Sequence, residues 1–389
     1  MNALDFPIII LYFITGFCFI FFRTNNLSDK HKFYLRLILA YQFLFGVFFY
    51  LYTSDGGVDS YTYWMSAKEF KIDSFSEILD FNFGTNFVVL LNYIPSRILG
   101  LTYFQGTLLY TFIGYLGFFY LYKTIITLLH NIPKVFGINL FPLLLFLPNM
   151  HFWSAGVGKD TIVFACICIA LYSLIKKRYI YIFISFALIY LIRPHIVFFI
   201  IISFFIVFIV DKKINRHKRF FLIILFFLIL ALMFSKIMAF LNIESLGLDS
   251  IESYTENKVK GLSRDYSGSR VDISNYNFVY KIFTFMFRPL FYDITNLMSI
   301  IVSFENLFLL FLTWKIFRAK ILRTFINTRY EVKVFFVFLV ISMIGFSLIL
   351  GNLGIMIRMK NMLMPSFIIF VLISLKMKKK RKDLISDNK

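Results

Sequence analysis

Two aspartates early in the chain have the spacing and surroundings of residues that handle a hydroxyl group. Asp55 and Asp59 lie four residues apart in a short polar stretch, just before Tyr61, Tyr63 and Trp64. Paired carboxylates can deprotonate or orient a hydroxyl group, and neighbouring aromatic rings can stack on the face of a sugar. The alternative interpretation is a solvated turn followed by an interfacial aromatic belt. Asp59 is the favoured base, because it leads into a predicted helix.

A second stretch, Gly-Val-Gly-Lys-Asp, has the features of an anion site at the beginning of a helix. Its glycines permit close backbone approach, and Lys159 and Asp160 open the next apolar segment. Exposed amides at a helix amino end, together with a lysine, bind anions. The spacing of a nucleotide-binding P-loop is not met, so nucleotide binding is excluded. In the alternative interpretation, Asp160 only caps the helix and Lys159 marks a membrane interface.

The turn Arg193-Pro-His195 lies between two apolar runs and is too short to reach far into water. Ionisable groups in such a place are functional hypotheses by default. Arginine can grip two phosphate oxygens at once, and histidine can move a proton near neutral pH. The alternative is an arginine that extends to lipid headgroups.

Further candidates follow in the second half of the chain. Arg288 and Glu305 flank or enter an apolar segment, and Arg358 and Lys360 place two cations at one end of the last apolar segment. Such cations could clamp a lipid diphosphate. The charges within the loop 242–278 are interpreted as solvated rather than catalytic. Cysteine, histidine and acidic residues show no metal-ligand spacing, so the sequence predicts no metal, no cofactor and no disulfide framework.

The composition identifies the environment of these residues. Of the 389 residues, 59% are hydrophobic and only 16% are charged, against roughly 45–50% and about 25% in an average soluble protein. Soluble enzymes, disordered scaffolds and nucleic-acid-binding proteins are thereby excluded. The net charge of +20 is interpreted as membrane topology, because basic residues concentrate in cytoplasmic loops.

The apolar segments predict an all-α polytopic membrane protein with about eleven transmembrane helices (10–12), none of them a signal peptide. They fall at about 5–22, 37–53, 106–122, 138–153, 161–175, 179–192, 196–210, 219–241, 294–314, 333–350 and 361–375. Residues 84–104 are apolar but interrupted by Asn92, Pro95 and Arg97, which predicts a re-entrant or interfacial helix.

Charge orients this bundle. An outer amino end and a cytoplasmic carboxyl tail place most of the 41 basic residues on the inner side, as the positive-inside rule requires. We expect a single transmembrane domain, 1–375, with outer loops 54–83 and 242–293, and a basic cytoplasmic tail, 376–389. The candidate stretches then belong to the outer side, with Glu305 inside a span, and we expect Arg193 and His195 to share one outer cavity with Lys159, Asp160 and Arg358.

The arrangement resembles bacterial polysaccharide polymerases of the Wzy and EpsG type and, more distantly, the GT-C glycosyltransferases. The resemblance depends on Gly57, Asp59 and Tyr63 in the first outer loop, the Lys-Asp helix start, the Arg-Pro-His turn and Arg358. It implies a GT-C-like helical bundle in the bacterial cytoplasmic membrane. The implied activity joins undecaprenyl-diphosphate-linked oligosaccharides at the outer face, in O-antigen, capsule or exopolysaccharide biosynthesis.

The resemblance implies that Arg193, Arg288 and Arg358 contact the diphosphate, and the chemistry of the residues suggests the remaining roles. Catalysis is expected from Asp59, Asp160 and His195, and substrate binding from Asp55, Lys159, Arg193, Arg288, Glu305, Arg358 and Lys360. The expected partners are the lipid-linked oligosaccharide, membrane lipids, and a chain-length regulator and flippase of the same pathway, with no nucleic acid. Two alternatives stay open: a transferase with a polyprenyl-phosphate sugar donor, and a polysaccharide or lipid transporter or flippase.

Overall fold

The computed structural model describes residues 5–56, 58–70, 83–129, 134–135, 138–210, 270–273 and 275–386, with a few isolated positions between 217 and 228. The described chain is helical apart from a two-residue antiparallel pairing of Lys134–Val135 with Ile138–Asn139. Most of the predicted apolar segment 219–241 and most of the loop 242–278 lie outside the described residues.

The chain forms two compact units, Met1–Val197 with Leu375–Lys389, and Phe198–Ser374. The expectation of a single domain stays a prediction. The first ten helices are α1 (Asp5–Arg23), α2 (Asp29–Thr53), α3 (Asp59–Glu69), α4 (Thr85–Tyr93), α5 (Tyr103–Leu128), α6 (Leu140–Leu143), α7 (Pro148–Trp153), α8 (Lys159–Ile175), α9 (Tyr179–Ile192) and α10 (Pro194–Val210). The boundary between the units, after Val197, falls within α10. The later helices are α11 (Phe278–Phe287), α12 (Leu297–Phe317), α13 (Ile321–Asn327), α14 (Tyr330–Ile349) and α15 (Leu353–Ser386).

Within the described residues, six helices are long and apolar enough to cross a membrane. They are Asp5–Arg23, Asp29–Thr53, Tyr103–Leu128, Met298–Phe317, Tyr330–Ile349 and Leu353–Lys378. Helices α8, α9 and α10 have 17, 14 and 17 residues, fewer than the roughly 20 that a span normally needs. The chain is therefore a polytopic, all-helical membrane protein.

The prediction of one continuous helix over 138–153 is wrong. This segment divides into α6, a 3-10 turn over Leu144–Phe146, and α7. Phe141 before Pro142 has extended backbone angles, and the second break precedes Pro148 at the start of α7. The cause is local, because a residue before proline is pushed out of the helical region.

Residues 84–104 also form no long helix. Helix α4 has nine residues and continues into a five-residue π-helix, Ile94–Ile98. A turn with a positive φ at Gly100 follows, and Thr102 caps the start of α5 through a hydrogen bond from the Gln105 amide to its side chain. The helical part is shorter than a span, and its re-entrant or interfacial placement stays a prediction.

Helix α5 is the centre of the first unit and packs against α2 and α8. Glycines on its faces let other segments approach closely, as is common where membrane helices pack. A methyl group at Gly114 would lie only 1.9 Å from the carbonyl oxygen of Ser154, and one at Gly117 would overlap Phe164. Thr111 Oγ1 donates to the carbonyl oxygen of Ala155 (2.8 Å). Helix α5 thus fixes the turn that leads into α8.

A buried polar contact holds the same turn from the other side. Gln42 of α2 donates through Nε2 to the Ser154 carbonyl oxygen (3.0 Å), and its Oε1 lies 2.5 Å from Nδ1 of His151. The His151 ring stacks on Phe118 with 3.9 Å between the ring centroids. Side chains from two helices therefore determine where α8 begins.

In the second unit, α14 packs against α11, and α11 also contacts α12. Phe285 and Phe338 are fully buried, and the rings of Phe336 and Phe370 stack with centroids 3.9 Å apart. The segment before α11 is attached to the start of α15 by a hydrogen bond from the Val271 amide to the Gly351 carbonyl oxygen (2.9 Å).

Candidate functional site

The first unit contains a buried ion pair between two of the predicted site residues. Asp160 lies in the first turn of α8, and Arg193 ends α9 directly before Pro194. Arg193 Nη2 lies 2.6 Å from Asp160 Oδ1, and their side chains are only 6% and 8% exposed. A charge-assisted hydrogen bond of this length is among the strong ones in proteins. Its two partners hold the beginning of α8 against the end of α9.

Lys159 lies beside this pair but has a different environment. It is half-buried, its Nζ donates to Oγ1 of Thr85 (2.7 Å), and Nζ lies 5.6 Å from the centroid of the Tyr63 ring. Thr85 begins α4, and the preceding Gly84 donates its amide to the carbonyl oxygen of Leu191 in α9 (2.8 Å). The start of α4 is therefore bound both to Lys159 and to the end of α9.

The start of helix α3 also lies beside the turn that leads into α8. A methyl group placed on Gly158 would lie 3.8 Å from Ser60 Oγ and 4.0 Å from Cε2 of Tyr63. Gly158 has a positive φ of 154°, so the backbone favours glycine there, and an added methyl group would make ordinary contacts with α3. Asp59 is the first residue of α3, directly before Ser60.

Four segments that are distant in sequence thus meet in the first unit. They are the start of α3, the start of α4, the turn before α8 and the turn between α9 and α10, and we call their meeting point the four-segment cluster. Asp55 and Asp59 are exposed, and His195 is half-buried in the first turn of α10. The structure therefore brings Lys159, Asp160 and Arg193 into direct proximity.

Arg288 in the second unit also forms an ion pair with a carboxylate. Its Nε and Nη2 donate to Oδ2 (3.0 Å) and Oδ1 (2.5 Å) of Asp293, and Nη1 donates to the hydroxyl oxygen of Tyr276 (3.2 Å). The hydrogen bonds to Asp293 raise the pKa of Arg288 further above its ordinary value. Burial raises the pKa of Tyr292, whose ring lies under the guanidinium, to about 12. The turn that carries Arg288 is thus held by an internal ion pair.

Lys360 is fully buried, although the sequence placed it at one end of the last apolar segment. Its Nζ donates to the carbonyl oxygen of Met286 (3.3 Å) and to Oδ1 of Asn306. Asn306 in turn donates to the carbonyl oxygen of Pro289 (2.9 Å), and Glu305 acts electrostatically on Lys360. This network connects α12 and α15 with the turn that carries Arg288.

One further predicted site residue, Arg358, lies in α15. Arg358 is half-buried in the second turn of α15, and it belongs to the second unit together with Arg288, Glu305 and Lys360. The single cavity expected to contain both Arg193 and Arg358 stays a prediction. Within the described residues, no three His, Cys, Asp or Glu side chains are grouped so that they could hold a metal ion.

Sequence reasoning missed three polar residues that the structure places beside the candidates. Ser60 and Thr85 lie in the four-segment cluster, and Asn306 holds Lys360. Ser60 carried a usable signal, since it follows Asp59. Asn306 carried the same signal, since it follows Glu305, whereas Thr85 carried none, because no candidate residue lies near it in the sequence.

The chain matches no protein-family model, and no curated protein or solved structure is significantly similar to it.

Proposed function

We propose that the protein is a membrane glycosyltransferase that joins polyprenyl-diphosphate-linked oligosaccharides at the outer face of a bacterial cytoplasmic membrane. The proposed topology has eleven spans, an outer amino end and a cytoplasmic tail. It is supported by the basic loops that fall on one side when the apolar segments alternate across the membrane. The six long apolar helices agree with its coarse form.

The four-segment cluster is the observation that carries this proposal. It places a half-buried lysine and a neutralised Asp160–Arg193 pair beside the start of α3, which presents the exposed carboxylate of Asp59. A cation next to a carboxylate is the combination that a glycosyl transfer from a diphosphate requires. The cation stabilises the leaving group, and the carboxylate accepts the proton of the acceptor hydroxyl.

In the proposed reaction, the acceptor hydroxyl oxygen attacks the anomeric carbon of the donor sugar. The bond between that carbon and the diphosphate oxygen breaks, and the polyprenyl diphosphate leaves with the electron pair. The hydroxyl proton passes to Asp59, which is exposed at the first turn of its helix. In this proposal, the relay of that proton is assigned to His195, in the first turn of α10.

The decisive experiment is deletion of the gene in the organism that encodes it, with complementation by the intact chain. We expect long surface polysaccharide to disappear and single lipid-linked repeat units to accumulate at the outer face. Complementation should restore both the chain length and the turnover of repeat units. An unchanged polysaccharide and unchanged repeat units would refute the proposal.

The transporter alternative is favoured by one specific observation, the interrupted helices over 84–98 and 140–153. Broken helices line the central sites of many transporters. That function predicts accumulation of lipid-linked units on the inner face, whereas a polymerase leaves them on the outer face. A transferase with a polyprenyl-phosphate donor would instead leave repeat units that lack one sugar.

A further inference from the structure

We infer that four cations at one end of the first unit bind the headgroup phosphate of an anionic phospholipid. They are Arg23 at the end of α1, Lys123 near the end of α5, and Lys176 and Arg178 in the turn between α8 and α9. We call these four residues the basic cluster. The 17 residues of α8 separate it from the four-segment cluster by about 25 Å, so it is distinct from the site of the proposed function.

Lys123 lies at the centre of the basic cluster. Its half-buried ammonium group donates to the carbonyl oxygen of Arg23 (3.0 Å). Arg178, Lys176 and Arg23 all act electrostatically on this group. Arg23 and Arg178 act in the same way on Tyr120, which lies one turn earlier in α5. The ends of three helices therefore bring four like charges together around one ammonium group.

Aromatic rings form the wall behind Lys123. Its Nζ lies 5.6 Å from the centroid of the Phe119 ring and 5.8 Å from that of the Tyr172 ring. The Tyr172 and Tyr120 rings lie 5.4 Å apart. Tyr172 also fixes the turn after α8, because its carbonyl oxygen accepts the amide of Lys176 (3.0 Å). The cations of the turn and the ammonium group of α5 are thus held on one packed surface.

Nearby acids do not balance these charges. Residues 81–159 and 161–210 contain no Asp or Glu, and residues 6–54 contain only Asp29, which pairs with Lys32 (3.4 Å). The carboxyl ends of α1 and α8 offset about half a charge each, which leaves the basic cluster an excess of about three positive charges. An anion bound there would relieve the mutual repulsion of the four cations.

Exposed apolar side chains beside the cations favour a lipid as the source of that anion. Phe21 and Phe22 directly precede Arg23 and are exposed, and the exposed Tyr179 and Ile180 directly follow Arg178. A phospholipid can contact the cations with its phosphate and these side chains with its acyl chains, whereas inorganic phosphate gains nothing from them. Basic pockets between membrane helices commonly bind acidic headgroups in this way.

Titration of the full-length protein in detergent micelles with dioleoylphosphatidylglycerol, followed by native mass spectrometry, tests the site through the dissociation constant of the first bound lipid. We expect Lys176→Gln and Arg178→Gln each to weaken binding about 10-fold, the usual effect of one hydrogen bond to a charged group. Lys123→Met should weaken it at least as much. Arg36→Gln is the matched control, because Arg36 is exposed in α2 and is not among the cations that act on Lys123.

Unfolding temperatures of the variants separate lost binding from lost folding. If Lys123→Met does not fold, because the end of α1 loses its hydrogen bond, the two exposed variants of the turn decide the outcome. Losses in both that are no larger than that of Arg36→Gln would show attraction by diffuse charge and would overturn the site. Equally tight binding of dioleoylphosphatidylcholine would overturn the preference for an anionic headgroup. Displacement of the lipid by an equal concentration of inorganic phosphate would overturn the assignment to a lipid.

Discussion

Breaking the Asp160–Arg193 pair should destabilise the first unit far more than the loss of one ordinary hydrogen bond. Both side chains are more than nine-tenths buried, so Asp160→Asn removes a carboxylate charge from beside a guanidinium in a poorly solvated place. Removal of one partner of a buried pair costs about 3–5 kcal/mol. For a unit of this size, each kcal/mol corresponds to about 2–4 °C, so the unfolding temperature should fall by about 6–20 °C.

The double variant Asp160→Leu/Arg193→Met tests the cause. Well-packed apolar residues of similar volume can replace a buried pair at little cost, so the double variant should recover at least half of the lost stability. It should nevertheless stay inactive, because the start of α8 would no longer be aligned by its charge partner. Asp29→Asn, which breaks an exposed pair with Lys32, is the matched control and should leave the unfolding temperature unchanged.

Tryptophan fluorescence during heating in detergent micelles is a suitable assay. Trp64 is fully buried against Gly106, and Trp153 ends α7 just before the turn into α8. The signal reports on the first unit once Trp314, the third tryptophan, which lies in α12 of the second unit, is replaced by phenylalanine. If the stability losses of Asp160→Leu and Arg193→Met simply add in the double variant, the reasoning is refuted, since coupled partners must deviate from additivity.

Three further predictions concern the same unit. Asp59→Asn should lower the rate of polymer formation about 100-fold or more with normal protein levels, while Glu69→Gln, an exposed acid at the other end of α3, should have no effect on chain length measured by gel electrophoresis. Gly114→Ala should abolish activity and reduce the amount of folded protein on size-exclusion chromatography, because the added methyl group would overlap the Ser154 carbonyl oxygen; normal elution would contradict this. A cysteine at the exposed position Asp55 should react with an impermeant thiol reagent in intact cells, and labelling only after lysis would invert the proposed topology.

Some helix boundaries follow from local chemistry and could be predicted. Asp59 and Lys159 each begin a helix as expected, because the preceding turns contain glycines and polar residues. The breaks within 138–153 were also encoded locally, by Pro142 and Pro148. Counting apolar residues predicts whether a segment partitions into lipid, but it does not show where a proline interrupts the helix by removing a backbone hydrogen bond. The breaks were missed for this reason.

The partners of the charged residues could not be predicted in the same way. Asp160 and Arg193 were both identified as candidates, yet 33 residues separate them and nothing in the local pattern specifies their pairing. Lys360 was expected near the end of the last apolar segment, but its contacts with Asn306 and Met286 make it fully buried. Burial of a long side chain depends on which helices surround it.

Composition is enough to identify this chain as a helical membrane protein, and the order of its residues shows which of them carry charge between the apolar segments. Transfer into lipid depends on summed side-chain hydrophobicity, which composition contains in full. Only the tertiary structure decided that Arg193 and Arg288 are held by carboxylates while Lys159 lies half-buried beside Thr85 and Gly158. Such choices depend on how the helices of each unit pack, because electrostatic partners are set by distances of a few ångströms that sequence separation does not encode.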